Sequence, residues 1–409
     1  MDRAVFKVHF TTSRPQKWWS RKEADHADEE ANREHEKKHR DQHRVISRRI
    51  HILGVGTLGT FVAHALAGIP NRPPVTLLLH RRKPWIDFQR EGERQGTIEV
   101  ITDGMSDVRK DFDVERILPF WNLVRQPPKD EDTIHNLIVA VKSPRTLSAL
   151  SLVSHRLNQR STIAFLQNGM GMLEEINEKL FKDVETRPNY ILGTTTHLIY
   201  RNEPFSIRHV GMGTTALGVV PRYPPDGAGK HKGLWAATSR YLLRTLTRTS
   251  VLAAVGFAPT DLMLLQLDKL AASAVIDPLT VMFDCRNGEL LFNDAVSRVM
   301  RLLLSEISLV IRSLPELQGV PNLQMRFSPD RLESMIVSIA TMTERKLSPM
   351  LQEVRAGNET EIDYINGYLI KRGEEVGIKC VMNYMLMQMV KGKRSMINKE
   401  VYNQLPMEE

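Results

Sequence analysis

The chain has 409 residues, 42% hydrophobic and 25% charged, an ordinary composition for a globular protein of two or three domains. Its two cysteines, Cys285 and Cys380, argue against a disulfide framework and a cysteine metal site, and no apolar run reaches the roughly 18 residues a membrane span needs. Half of the +8 formal charge falls in residues 1–50, where 13 Lys and Arg stand against 9 Asp and Glu.

Residues 1–22 hold one acid, Asp2, against Arg3, Lys7, Arg14, Lys17, Arg21 and Lys22, with Thr11, Thr12, Ser13 and Ser20 between them. This acid-poor pattern without an apolar centre is that of a mitochondrial transit peptide rather than a secretory signal. A solvated tail and an RNA-binding arm are the other readings of the same charge. Residues 23–44 turn to mixed charge with almost nothing to bury, so they read as a solvated helix or an unstructured stretch.

The folded part is expected to begin near Val45. Four near-continuous apolar runs follow, at Arg49–Leu53, Val75–Leu79, Asn136–Val141 and Thr162–Leu166. Runs of this kind, separated by helical lengths, predict strands buried on both faces of a parallel sheet. The Pro/Gly-rich segment at 222–232 reads as a connection between domains. Beyond it, Asp261–Val275, Leu290–Leu314, Arg331–Lys346 and Thr360–Val376 carry helical apolar spacing. The expected organisation is a charged arm at 1–47, a parallel-sheet α/β domain at 48–232, an all-helical domain at 233–396 that carries substrate and any homodimer contact, and a tail at 397–409.

Gly54-Val55-Gly56-Thr57-Leu58-Gly59 is a G-x-G-x-x-G that follows a predicted strand and opens a predicted helix over Thr60–Gly68. In that context the first glycine permits a tight turn, the second lets backbone approach a pyrophosphate, and the third lets helix pack on strand. The helix N-terminus then faces the phosphate charge. The second strand ends in His80-Arg81-Arg82-Lys83 with no acid. An acid there would bond the ribose 2′-hydroxyl of NAD; arginines instead pair with the 2′-phosphate of NADP. NADP is the expected cofactor, with Arg81 and Arg82 as its phosphate partners.

Further segments stand in order along the chain. They are Ala140-Val141-Lys142, Gln167 to Gly171, Gly193 to His197, His209-Val210-Gly211, Lys269 to Thr280, Asn287 to Leu290, and Thr360 to Gly367. In order and spacing the chain from about 49 to 392 resembles the ketopantoate reductase (2-dehydropantoate 2-reductase) family, in its fungal type. The resemblance implies a Rossmann-type parallel-sheet domain joined to a helical domain of the 6-phosphogluconate dehydrogenase type, with the active site in the cleft between them. It implies transfer of hydride from NADPH to the ketone of ketopantoate, in pantothenate synthesis. Lys269 aligns with the family's catalytic lysine and Glu361 with the glutamate that holds substrate. Asn168 aligns with an asparagine near nicotinamide and substrate, and Lys142 with a lysine at the cofactor edge.

Three positions depart from that pattern. Ser273 and Asp277 stand where the family has asparagines, and Ser348-Pro349-Met350 stands for Ser-Ser-Met. Asn168, Ser273, Asp277 and Ser348 are accordingly the candidate substrate contacts. An ionised Asp277 at about 4 Å from a substrate carboxylate would oppose it by roughly 4 kcal/mol at an effective dielectric of about 20. Two expectations follow: a related 2-keto acid as substrate, or a fold retained for another purpose, as in fungal mitochondrial proteins of this superfamily that act in organelle translation. RNA or the mitoribosome is a partner only under the second. No metal is expected.

Overall fold

The computed structural model describes residues 46–89, 95–117, 133–222 and 235–404. The transit-peptide and RNA-arm expectations at 1–45 lie outside them, as does nearly all of the Pro/Gly-rich connection. The described residues from Ser47 onward form one compact unit.

The four expected strands all form: β1 (Ile50–Leu53), β2 (Val75–Leu79), and, after β3 (Ile98–Thr102), β4 (Met105–Arg109) and β5 (Asp113–Arg116), then β6 (Asn136–Val139) and β7 (Thr162–Phe165). β1, β2, β6 and β7 are buried along their whole length, as strands covered on both faces must be. With β8 (Asn189–Thr195), β9 (Leu198–Glu203), β10 (Ser206–Gly211), β11 (Thr215–Val220) and β12 (Ala254–Gly256), they make two sheets. The first runs β12-β11-β8-β7-β6-β1-β2-β5, parallel except where β11 meets β8. The second is a four-stranded sheet, β4-β3-β10-β9.

Helix α1 (Thr57–Ala67) leaves the glycine turn and is buried almost all round, which explains why it reads as apolar without a polar face. Phe61 lies against the rings of His197 and His209, at centroid distances of 5.1 and 4.8 Å, where the second sheet covers the helix. Helices α2 (Arg82–Gln89), α3 (Ser143–Ser151), α4 (Met172–Lys179) and α5 (Ala237–Thr247) complete the sheet domain. Because α5 and β12 belong to it, the boundary expected at 232–233 falls too early, by about 25 residues. β12 is three residues long and too short to leave an apolar run.

The helical domain holds α6 (Pro259–Phe283), α7 (Asp294–Ser313), α8 (Leu323–Arg326), α9 (Pro329–Met342), α10 (Pro349–Arg355), α11 (Ile362–Glu375) and α12 (Val381–Gln404). Residues 397–404 of the expected tail are therefore the end of a helix; the rest of it lies outside the described residues. Leu267, Ala271, Leu304, Ile307, Val354 and Leu369 build a core separate from those of the sheet domain. α6 continues through Pro278, which has no N–H to give the Ala274 carbonyl one turn back. The buried Asn366 side chain on α11 supplies that donor, Nδ2 to Ala274 O at 2.9 Å.

Candidate active site

The glycine turn has the shape its spacing predicts. Gly54 sits at φ +96°, and a Cβ there would meet Val141 and Ala140 at 3.0 Å or less. A Cβ on Gly59 would fall 2.0 Å from the Gly54 carbonyl, so α1 can close on the turn only through a glycine. Nothing lies within 4 Å of the Cβ position of Gly56, the N-cap residue, and no side chain caps the helix. Open space against the uncapped N-terminus spanning Gly56, Thr57 and Leu58 fits a dinucleotide pyrophosphate. Val55 packs beneath it on the sheet core. Past the end of β2, Arg81 and Arg82 are exposed; Arg81 Nε donates to His80 Nε2 at 3.2 Å, and Arg82 opens α2. No acid stands in that first turn.

Across the cleft, α6 carries Lys269 to the loop that follows β7. Its Nζ donates to Asn168 Oδ1 at 2.6 Å and to the Thr195 carbonyl at 2.7 Å. An ammonium has three N–H groups, so one is left for the cleft. Gln167, Asn168, Gly169, Met170, Thr194, Gln266, Lys269 and Ser273 line that space. Burial lowers the Lys269 pKa to about 8, against the opposing pull of Glu361 and Asp277. The group is thus still charged at neutral pH, yet close to releasing its proton.

Glu361 reaches the other domain. Its Oε1 accepts from the Ser143 backbone N–H at 3.2 Å and lies 3.3 Å from the Ser143 hydroxyl, at the N-terminus of α3. Burial raises its pKa, while Ser143, Lys142 and Lys269 pull the other way. The Ser143 hydroxyl also bonds the Asn168 carbonyl. Lys142, the residue before α3, is exposed and paired with Glu353 on α10. The two domains interlock here: Met170 packs on the helical core, Tyr364 packs on the sheet core, and the Met170 N–H donates to the Tyr364 carbonyl at 2.8 Å.

Lys269, Asn168, Ser273, Asp277 and Glu361 are thus brought to one place. Ser348 is not. It is fully buried, its Oγ accepts from the Leu351 N–H at 3.1 Å as the cap of α10, and it shares a 2.6 Å hydrogen bond with Thr280. The expected substrate contact at Ser348 is corrected to a helix cap, for which Pro349 in the first turn is well suited. Sequence reasoning did not single out Gln266, Ser143 or the Thr195 carbonyl. Gln266 lies one turn before Lys269 on the same helix side and was accessible to helical periodicity. A backbone carbonyl leaves no sequence signal. Among the described residues, no group of three or more His, Cys, Asp or Glu could hold a metal. No described helix is long and apolar enough to cross a membrane.

A phosphate-binding turn on a parallel sheet, facing a lysine on a separate helical domain, defines a nicotinamide-dependent oxidoreductase. Residues 50–222 match the family described as ketopantoate reductase PanE/ApbA, and residues 261–394 its C-terminal part; the chain belongs to the ketopantoate reductase family. The "probable 2-dehydropantoate 2-reductase" of Schizosaccharomyces pombe is 27% identical over 350 residues, covering 84% of this chain and 96% of that one. A ketoisovalerate reductase of Gibberella fujikuroi is 25% identical, covering 79% and 77%. A cytochrome b translational activator of Saccharomyces cerevisiae is 24% identical, covering 85% and 95%. The fold is shared with D-mandelate dehydrogenase, solved with NADH and anilino(oxo)acetate, at a TM-score of 0.65 and 17% identity over 86% of this chain and 99% of that one.

Proposed function

We propose that the cleft reduces 2-dehydropantoate, or a related branched 2-keto acid, to the 2-hydroxy acid, with NADPH as the reductant. The observation that carries the reading is the Lys269 ammonium, held by Asn168 and Thr195 in the lining of the cleft. NADPH, held by the Gly54–Gly59 turn and Arg81, supplies the hydride when bound. As the ketone carbon becomes tetrahedral its oxygen gathers negative charge. Lys269 meets that charge and gives up its proton to form the hydroxyl, and solvent restores the proton afterwards. A pKa of about 8 suits this transfer near neutral pH. Asn168 and the Thr195 carbonyl keep the amine aimed. The named activities of the Schizosaccharomyces and Gibberella relatives support a branched 2-keto acid. The acid-poor residues 1–22 support mitochondrial import; a reporter fused to residues 1–50 that stays cytosolic would contradict it.

The test is NADPH oxidation by the purified protein against a panel of 2-keto acids, with the hydroxy acid identified chromatographically. Turnover of at least one branched member is expected. Failure with every member would leave a non-catalytic role, of which the translational activator is the example among the relatives.

A further inference from the structure

Lys269, Ser273 and Asp277 stand at successive turns of α6, on one side of the helix. All three are half-buried. The Ser273 hydroxyl bonds the Asp277 carboxyl, so Asp277 lies one step behind a residue that lines the cleft. The groups that face it are Lys269 and Ser273 on its own helix and Glu361 from the segment before α11, with Lys142 beyond Glu361. One ammonium and two carboxyls therefore share a space largely withdrawn from water.

The two carboxyls are not held alike. Glu361 takes a backbone N–H at a helix start and has Lys142 and Lys269 near it, all of which favour its anion. Asp277 has a single hydroxyl and the Lys269 charge in its favour, with no backbone N–H among them, and must bear the Glu361 charge as well as its own desolvation. If one carboxyl carries a proton, it is Asp277. With Asp277 neutral, the charges of Lys269 and Glu361 cancel, and Asp277 changes from acceptor to donor. With Asp277 ionised, the cleft is net negative, and a 2-keto acid would bring a third carboxylate.

We propose that Asp277 is the specificity-determining residue of this cleft: it admits an anionic substrate head group in its neutral form, and once ionised it disfavours that group while holding the charge on Lys269. The proposal rests on the keto-acid reading above. Burial and Glu361 raise the Asp277 pKa to about 7, which puts the change within the neutral range.

The experiment is calorimetric binding of oxamate, a small anionic keto-acid mimic, to the full chain saturated with NADPH, from pH 6 to 8.5. It is run beside competitive acetylation of Lys269 read by mass spectrometry over the same range. In the parent, the oxamate Kd should rise above pH 7, by up to about tenfold per pH unit. In Asp277→Asn it should stay flat up to the point where Lys269 loses its proton, and acetylation should place that point at lower pH than in the parent. In Ser273→Ala, which removes a bond favouring the ionised carboxyl, the rise should begin at higher pH. A parent Kd that does not change between pH 6 and 8, or a Lys269 titration unmoved by Asp277→Asn, overturns the proposal and leaves the reductase reading standing. Absence of oxamate binding at every pH, together with no turnover on the keto-acid panel, overturns both.

Discussion

At the scale of single residues, the proposed preference for NADPH rests on two side chains. Arg81 and Arg82 follow β2 with no acid in the first turn of α2, and a guanidinium pairs with a phosphate where a carboxylate would repel it. Fluorescence titration should show NADPH binding more tightly than NADH, and Arg81→Asp should narrow or reverse the difference; equal affinities in the parent would remove the argument. The expectation of NADPH comes from the sequence alone, from residue type at a fixed place after a strand. Lys269 and Glu361 became candidates only through family resemblance, since a lysine on an apolar helix more often snorkels to solvent. Ser348 misled for a physical reason. A serine before a proline at a helix start is both a plausible ligand contact and a good cap, and only burial separates the two.

Among the elements, α6 extends beyond the Asp261–Val275 stretch whose spacing marked it as helical. Apolar spacing marked it only to Val275, and a proline inside a helix ordinarily ends or kinks it. It continues to Phe283 because Asn366, 92 residues beyond Ala274, donates to the carbonyl that Pro278 leaves without a partner. No local pattern announces such a repair. Asn366→Ala should therefore cost about 1–3 kcal/mol in urea unfolding, the range for an unsatisfied buried acceptor. The cost should shrink in a Pro278→Ala background, where residue 278 can donate for itself. The same cost in both backgrounds, within about 0.5 kcal/mol, would show that the bond does not repair the helix. The strands divide along similar lines. β1, β2, β6 and β7 are fully buried and show as apolar runs. β4, Met-Ser-Asp-Val-Arg, is exposed over four of its five residues and leaves no run to find. With it the whole second sheet went unseen, although Phe61, His197 and His209 show why α1 needs that cover.

At the scale of the molecule, the division of labour between domains is the central claim. Under the proposed function the sheet domain would hold the dinucleotide through Gly54–Gly59 and Arg81, and the helical domain would bring the acid through α6. The two meet where Met170 and Tyr364 each pack on the other's core and Glu361 docks on the start of α3. Two domains of this kind could be read from periodicity alone, but their boundary and their contacts could not. The contacts join residues as far apart as Ser143 and Glu361, 218 positions along the chain. If the division holds, Lys269 acts on the reaction and not on cofactor binding or on the fold. The most direct test is the steady-state kcat of Lys269→Ala with the best keto acid, measured with the NADPH Kd and the melting temperature of the same preparation. The account predicts a kcat lowered by a factor on the order of 10² or more, with NADPH affinity and melting temperature close to those of the parent. A kcat within tenfold of the parent, or a loss matched by a collapse of NADPH binding, would contradict it.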